Sequence, residues 1–250
     1  IIQKSQFLLG TKPLIEFVES NICPPLTSCK TITNLHVLSK SIDNLKMLTA
    51  TESMDNARKM LGVPHDSIVV TFGYNASTAQ QHSVFCGALE KLKHDLPANL
   101  FVLLPMTYSE NKQGYVMDIK NRMQSINIPH KIFDRFLSDV DNLRIRLVTD
   151  LTINIQTTDA LSSSIREHLF MNKPVLVGNW LPYSVLEDLG VFFLKTNISE
   201  LDKNLLFVLN NYKEIQEKCK KNEKIIFNNF SLSQNIDGWI AFFQVTSKQT

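Results

Sequence analysis

Residues 157–178 read TTDALSSSIREHLFMNKPVLVG, a run that combines acids, hydroxyls and an apolar, strand-like ending. Asp159 and Glu167 stand eight positions apart, with Ser162, Ser163 and Ser164 between them. If a helix begins at the serines, its first N–H groups lack intrahelical partners and its dipole favours negative charge, so a diphosphate fits there. Glu167 lies one turn further along, on a face shared with Ser163 and Ser164, where a carboxylate can accept from both hydroxyls of a ribose. The same pattern also reads as a polar cap followed by an exposed helical glutamate. Taken alone, the segment leaves both readings open.

The elements that must position these residues are short apolar runs alternating with helical stretches. Strands are predicted at residues 67–73, 99–105, 130–136, 150–156, 174–178 and 191–195. Several are apolar at successive positions, as strands covered on both faces are. Helices are predicted at 77–94, 114–125, 139–148 and 161–171; in the first, Val84, Ala88 and Leu92 recur beside Phe85 and Leu89 as one apolar stripe. Strict alternation requires right-handed crossovers and gives an α/β fold, a Rossmann-like parallel sheet flanked by helices. Closing helices are expected at 198–210, 212–227 and 231–245. Among the first sixty residues, CPPLTSC reads as a turn or linker, and LKMLTATES (45–53) as a strand leading into a helix stopped by Gly62 and Pro64. The chain thus divides into a partial N-terminal segment or linker at 1–62, a Rossmann-like domain at 63–230 and a closing C-terminal helix at 231–250.

An open parallel sheet binds ligands outside the carboxyl ends of its strands. The loops expected there contain Gly73 and Asn75, Thr107 and Tyr108, Phe136 and Leu137, and the serine segment. No GxGxxG follows the first strand and no GxxxxGK[ST] occurs, which removes the main support for dinucleotide dehydrogenases and P-loop enzymes. His82 sits in the first helix after Gly73 and reads either as a cleft-facing ligand or as a surface or capping histidine. His168 should turn about 100° from Glu167 and pack. No His or Cys spacing suggests a metal site.

The totals set bounds. The 250 residues are 44% apolar and 20% charged, enough for a sizeable core, and the formal charge of +2 is dispersed, which gives no nucleic-acid platform. The run at 213–224, KEIQEKCKKNEK, interleaves acids and bases as a solvated helix face does, with a peripheral membrane contact as the second reading. Four unpaired-looking cysteines fit reduced thiols and a cytoplasmic location, with association at the inner face of the membrane as its extension. No apolar stretch approaches the roughly 20 residues that span a bilayer. The chain begins at Ile1 rather than Met, as a piece of something longer would.

Asp159-x7-Glu167 followed by HLFMNKPVLVG resembles the Glu-x7-Glu segment of GT-B glycosyltransferases, where an E-x-M-A-x-G-x-P-V-I run follows the second acid. ARKMLGVPHDSIVVTFG resembles the linker helix and first strand of that family's C-terminal donor domain, HKIFDRFLSDVDNLRIRLVTDLTINIQ the elements before the motif, and FSLSQNIDGWIAFF its closing helix. The likeness extends to family-4-like members. GYNASTAQQHSVFCGAL and LLPMTYSENKQGYVMDI are similar to segments of bacterial 4-acetamido-4,6-dideoxygalactosyltransferases, which are inverting enzymes. The resemblance covers about residues 55–245.

It implies a bacterial enzyme of polysaccharide biosynthesis that moves a sugar from a nucleotide diphosphate sugar to a glycan or lipid-linked acceptor, with no metal or other cofactor. By position, Glu167 would hold the ribose, Ser162, Ser163 and Ser164 the phosphates, and Asp159 the transferred sugar, with His82 as the other catalytic candidate. Phe136 and Leu137 would face the base, with Gly73, Asn75, Thr107 and Tyr108 completing the nucleotide site. The first acid is Asp rather than Glu, and the Arg and Lys that many members carry after the first strand are absent, leaving Arg166 and Lys173 as cationic candidates. A nucleotide-sugar 2-epimerase of the same fold, or a non-catalytic module that binds nucleotide sugars or protein, remain the alternatives.

Overall fold

The computed structural model describes residues 7–9, 30–32, 38–109 and 112–247, so the CPPLTSC segment lies outside the described residues. Strands β1 (Phe7–Leu9) and β2 (Lys30–Ile32) pair in parallel. The main sheet comprises β3 (Ile68–Phe72), β4 (Leu100–Pro105), β5 (His130–Phe133), β6 (Leu151–Asn154), β7 (Val175–Gly178) and β8 (Leu194–Thr196). Its order is β5-β4-β3-β6-β7-β8, and every neighbouring pair is parallel. The chain winds outward from β3 to β5, then returns to the other side of β3 with β6. This reversal opens a crevice at the carboxyl ends of β3 and β6.

Burial follows from the apolar runs. All six residues of β4 and all four of β6 and of β7 are buried. Val70 and Phe72 point to one face, where Phe85, Leu89, Ile119, Leu205 and Val208 from α3 (His82–Leu92), α4 (Lys112–Ile126) and α8 (Leu201–Asn210) cover them. Val69, Phe101 and Leu103 point to the other, under α2 (Met54–Leu61) and α5 (Asp139–Val148). Further along that face lie α1 (Lys40–Thr51), α6 (Ser163–Phe170) and α10 (Asn222–Phe230). The short α7 (Ser184–Asp188), α9 (Tyr212–Cys219) and α11 (Leu232–Ser247) complete the order. Among the described residues, no helix is long and apolar enough to cross a membrane.

Residues 45–53 depart from the sequence reading. Residues 45–51 continue α1 rather than form a strand, with Glu52 and Ser53 as the break before α2, because Ile42 and Leu45 are buried and Leu48 packs beside them at helical spacing. The stretch 212–227 is two helices, broken where fully buried Asn222 clamps Phe192, accepting from its N–H at 2.8 Å and donating to its carbonyl at 2.7 Å. Gly62 ends α2 at φ +65°, a left-handed stop that glycine adopts without a Cβ penalty.

The chain enters and leaves this unit at adjacent points. Ser39 and Ser231 form a parallel bridge, and the Ser39 N–H donates to the Phe230 carbonyl at 2.8 Å. Asp43 caps α11, accepting from the N–H groups of Leu232 and Ser233 at 2.9 and 3.2 Å and from the Ser233 hydroxyl at 2.5 Å.

Candidate functional site

A cleft of about 590 Å³ lies at the carboxyl ends of the strands, where the topology reverses. It gathers Thr107 and Tyr108 after β4, Phe136 and Leu137 after β5, and Ser162, Ser163, Ser164 and Glu167 of α6. These are eight of the twelve residues singled out from the sequence, drawn from three separate segments.

At the floor, Glu167 is 6% exposed. Its Oε1 accepts from the Ser41 hydroxyl at 2.5 Å, and its Oε2 from Arg146 Nε at 2.9 Å. Ser162 stands at the N-cap of α6 (φ −55°, ψ 147°), and its own side chain makes no capping bond. The amides of Ser163, Ser164 and Ile165 therefore begin the helix without an intrahelical acceptor, at the cleft wall. Ser164 is buried; its carbonyl accepts from His168 Nδ1 at 2.7 Å, and His168 is turned into the core as helical spacing required. Burial holds the His168 imidazole well below its ordinary pKa. Phe136 is 81% exposed at the rim, a solvated aromatic face with no structural employment.

The other four singled-out residues sit behind the lining. Asp159 Oδ2 accepts from Asn154 Nδ2 at 3.0 Å and from the Tyr183 hydroxyl, fixing the carboxylate beside the cleft. Burial first, then the Asp159 charge, raise the Tyr183 phenol far above its ordinary value, so it stays a donor. Gly73 follows β3 at φ +67°; a Cβ there would lie 3.0 Å from Gln80 Oε1 and 3.2 Å from His82 Nε2. Asn75 closes its own turn, its Oδ1 accepting from the Ser77 N–H at 2.8 Å. His82 is fully buried, 5.2 Å from the Phe72 ring centroid and 5.7 Å from that of Tyr115. Burial pushes its pKa down to about 4, so it is neutral and packed rather than aimed into the cleft. It interacts with the Tyr115 hydroxyl at 3.3 Å.

The cationic candidates also lie elsewhere. Lys173 precedes β7, at the amino end of the sheet, 3.8 Å from Asp150. Arg166 is 3% exposed, donates to Ser163 Oγ at 3.1 Å and lies over the Phe230 ring. The cations that do line the cleft are Arg146 and Lys40. Sequence reading missed both, along with Ser41, Asn44 and Asn142, whereas Tyr74 belongs to the loop it expected after the first strand. A signal existed: Asp139, Asn142, Leu143 and Arg146 fall at i, i+3, i+4 and i+7, one face of α5, and that face is largely polar where a core stripe would be expected. Among the described residues, no His, Cys, Asp and Glu cluster fit for a metal ion occurs.

A scan of protein-family models found no match, and neither did a search of curated proteins. Solved structures do match. A glycosyltransferase from Rickettsia africae aligns with a TM-score of 0.70 at 15% identity, over 94% of this chain and 62% of that one. Sucrose-phosphate synthase from Thermosynechococcus elongatus aligns at 0.75 and 10% identity, over 99% and 60%. The C-terminal domain of a group 1 glycosyl transferase (LpcC) from Francisella tularensis aligns at 0.58 and 10% identity, over 73% of this chain and 95% of that one. The chain spans about 60% of the length of the first two. It therefore has the Rossmann-like α/β fold of GT-B glycosyltransferases, and its cleft lies at that fold's switch point.

Proposed function

We propose that the chain forms the donor half of a GT-B glycosyltransferase, carrying a sugar from a nucleoside diphosphate sugar to a glycan or lipid-linked acceptor. The observation that supports this most is the pairing, in one cleft, of the uncapped start of α6 with a buried Glu167 one turn deeper. In this reading the amides of Ser163, Ser164 and Ile165 hold the diphosphate, and Glu167 accepts from the ribose. Arg146 and Lys40 supply the countercharge that the loop after β3 lacks. Arg146 uses only Nε on Glu167, and among the described residues its terminal nitrogens have no protein partner.

Phe136 and Leu137 face the base, Asp159 the transferred sugar, and Thr107 and Tyr108 close the phosphate side. His82 receives no role in transfer. Anabaena HepE, which aligns at a TM-score of 0.62 and 15% identity, has been solved with UDP and glucose, so uridine donors are the first to test.

The chemistry assigned to these residues is stabilisation of a leaving group. The acceptor hydroxyl oxygen bonds to the anomeric carbon and loses its proton to water, the bond from that carbon to phosphate breaks, and the negative charge of the leaving diphosphate is met by helix amides and Arg146. These contacts strengthen as charge develops, which is the condition for accelerating the step. A cytoplasmic setting, with a lipid-linked acceptor met at the inner membrane face, completes the reading.

The test is calorimetric titration with UDP, GDP, TDP and CMP at low salt. At least one nucleoside diphosphate should bind, and Glu167→Gln should weaken it about tenfold or more while the circular dichroism spectrum is unchanged. No binding to any of the four would overturn the proposal. An epimerised free donor would replace transfer with epimerisation.

A further inference from the structure

Asp159 is bonded to its neighbours through one side-chain oxygen. Asn154, at the end of β6, donates one Nδ2 hydrogen to Asp159 Oδ2 at 3.0 Å and the other to the Tyr183 hydroxyl at 3.0 Å. Tyr183 has a single proton, and Asn154 Nδ2 only donates, so that proton goes to Asp159 Oδ2. Asn154 Oδ1 in turn accepts from the Gln156 N–H at 3.3 Å. The three side chains thus form a closed triangle in which Oδ2 takes two hydrogen bonds, its full complement. Among the described residues no hydrogen bond reaches Oδ1.

Both donors are anchored in the core. Tyr183 and Asn154 are each 1% exposed, and the Tyr183 ring meets that of Phe193 edge-on at 6.3 Å. Asp159 itself is half-buried, on the loop between β6 and α6. Its charge is the second cause, after burial, of the raised pKa of Tyr74, which lines the cleft. The carboxylate therefore lies within electrostatic reach of the cleft wall.

We infer that Tyr183 is a positioning residue for sugar recognition: with Asn154 it fixes Oδ2 of Asp159 and leaves Oδ1 as the acceptor that meets a hydroxyl of the transferred sugar. The inference rests on the reading of Asp159 as the sugar contact in a nucleoside diphosphate site. Two bonds on one oxygen set the plane of the carboxylate in advance, so a ligand need not order it, and the lone pairs of the other oxygen stay available.

The test compares a nucleoside diphosphate with its sugar esters, so that effects on the nucleotide cancel. Calorimetry uses UDP, GDP or TDP, whichever the wild type binds tightest, together with its glucose and galactose esters, and reads the ratio of ester to diphosphate affinity for the tighter ester. Tyr183→Phe removes one donor to Oδ2 while keeping a ring against Phe193, and the ratio should fall about three- to tenfold. Asp159→Asn keeps an oxygen for Tyr183 and Asn154 but presents an amide where Oδ1 stood, and should lower the ratio about tenfold or more. Because Tyr183 acts through Asp159, the double variant should lie within about twofold of Asp159→Asn. Asn154→Ser withdraws the other donor to Oδ2 and should lower the ratio about threefold or more, which keeps the idea open to refutation should Tyr183→Phe fold poorly.

An unchanged ratio in Tyr183→Phe, or in Asn154→Ser where it stands in, overturns the inference whether the two affinities hold or fall together. Losses that multiply in the double variant overturn it as well. A wild type that binds none of the three diphosphates removes the nucleotide site itself; one that binds, with a ratio these variants do not move, removes only the role of Tyr183.

Discussion

The two ends of the sheet each set an acid against an arginine, and the two arginines use their nitrogens differently. At the amino end Asp150 accepts from the Val69 N–H at 2.9 Å and faces Arg58 Nη2 at 3.5 Å and Lys173 Nζ at 3.8 Å. Arg58 Nη1 donates to the carbonyls of Pro64, His65 and Ser67 at 2.9, 2.8 and 2.9 Å. That arginine ties the turn after α2 to the start of β6, and most of its acceptors are backbone carbonyls. The cavity beside it, about 710 Å³, is larger than the carboxyl-end cleft. Size is therefore a poor guide here. The smaller cleft has uncapped amides, an arginine bonded through one nitrogen and an exposed aromatic, none of which the fold requires.

Arg58→Ala carries the largest expected cost. Leaving Asp150 without its arginine, and the carbonyls of Pro64, His65 and Ser67 without their shared donor, should lower stability by about 3–4 kcal/mol in chemical denaturation, while nucleotide affinity of the folded protein stays at the wild-type value. The comparison also says which end gives way first in acid. Folded His82 titrates near 4, below its ordinary 6.5, so stability from the neutral ring is fully present above about 6.5 and is lost as pH falls towards 4. On the order of 3 kcal/mol is involved, with His168 adding in the same sense. Thermal melts from pH 7 to pH 4 should steepen in the wild type and flatten in His82→Gln; identical slopes would show that burial of this ring is not what acid attacks.

Arg146→Ala inverts the first result. Ser41 and water in the cleft still reach Glu167, so the stability loss should be smaller, about 1–3 kcal/mol, but nucleotide affinity should fall about tenfold or more. If Arg58→Ala and Arg146→Ala behave alike in both measurements, the contrast between the ends is mistaken. Phe136→Ala has the smallest structural effect, within about 0.5 kcal/mol of wild-type stability, because its ring touches mainly solvent. Its affinity loss, about 1 kcal/mol if a base stacks there, should appear in titration alone.

Much of this arrangement is legible in the chain. Runs such as FVLLP and PVLVG have no polar face, which only a doubly covered strand tolerates, and the alternation with helices fixes a parallel sheet. The loops at its carboxyl ends follow, and with them Thr107, Tyr108, Phe136, Leu137, Ser162, Ser163, Ser164 and Glu167. What stays hidden depends on distance along the chain. Ser41 meets Glu167 across 126 residues and leaves no local pattern in LSKSIDN, while Arg146 meets it across 21 and is marked only by the polar face of α5. His82 misleads for the opposite reason: it stands at a helix start beside a cleft loop, but Gly73 turns at positive φ and leaves the ring packed against Phe72. Residues 45–53 look strand-like until α1 has a partner, since its apolar spacing means little before α6 and α10 give it a surface.

One glycine gives the molecule a built-in optical reporter. A Cβ on Gly178 would sit 2.5 Å from the Trp180 ring, so the bare backbone at the end of β7 is what lets that indole fold back and donate to the Gln156 carbonyl at 2.9 Å. Gln156 accepts in turn from the hydroxyl of Tyr74, which lines the cleft. Of the two tryptophans in the chain, Trp180 is hydrogen-bonded to the loops around the switch point, while Trp239 lies on α11. Emission from Trp180, read in a Trp239→Phe background, should follow events in the cleft without any attached dye.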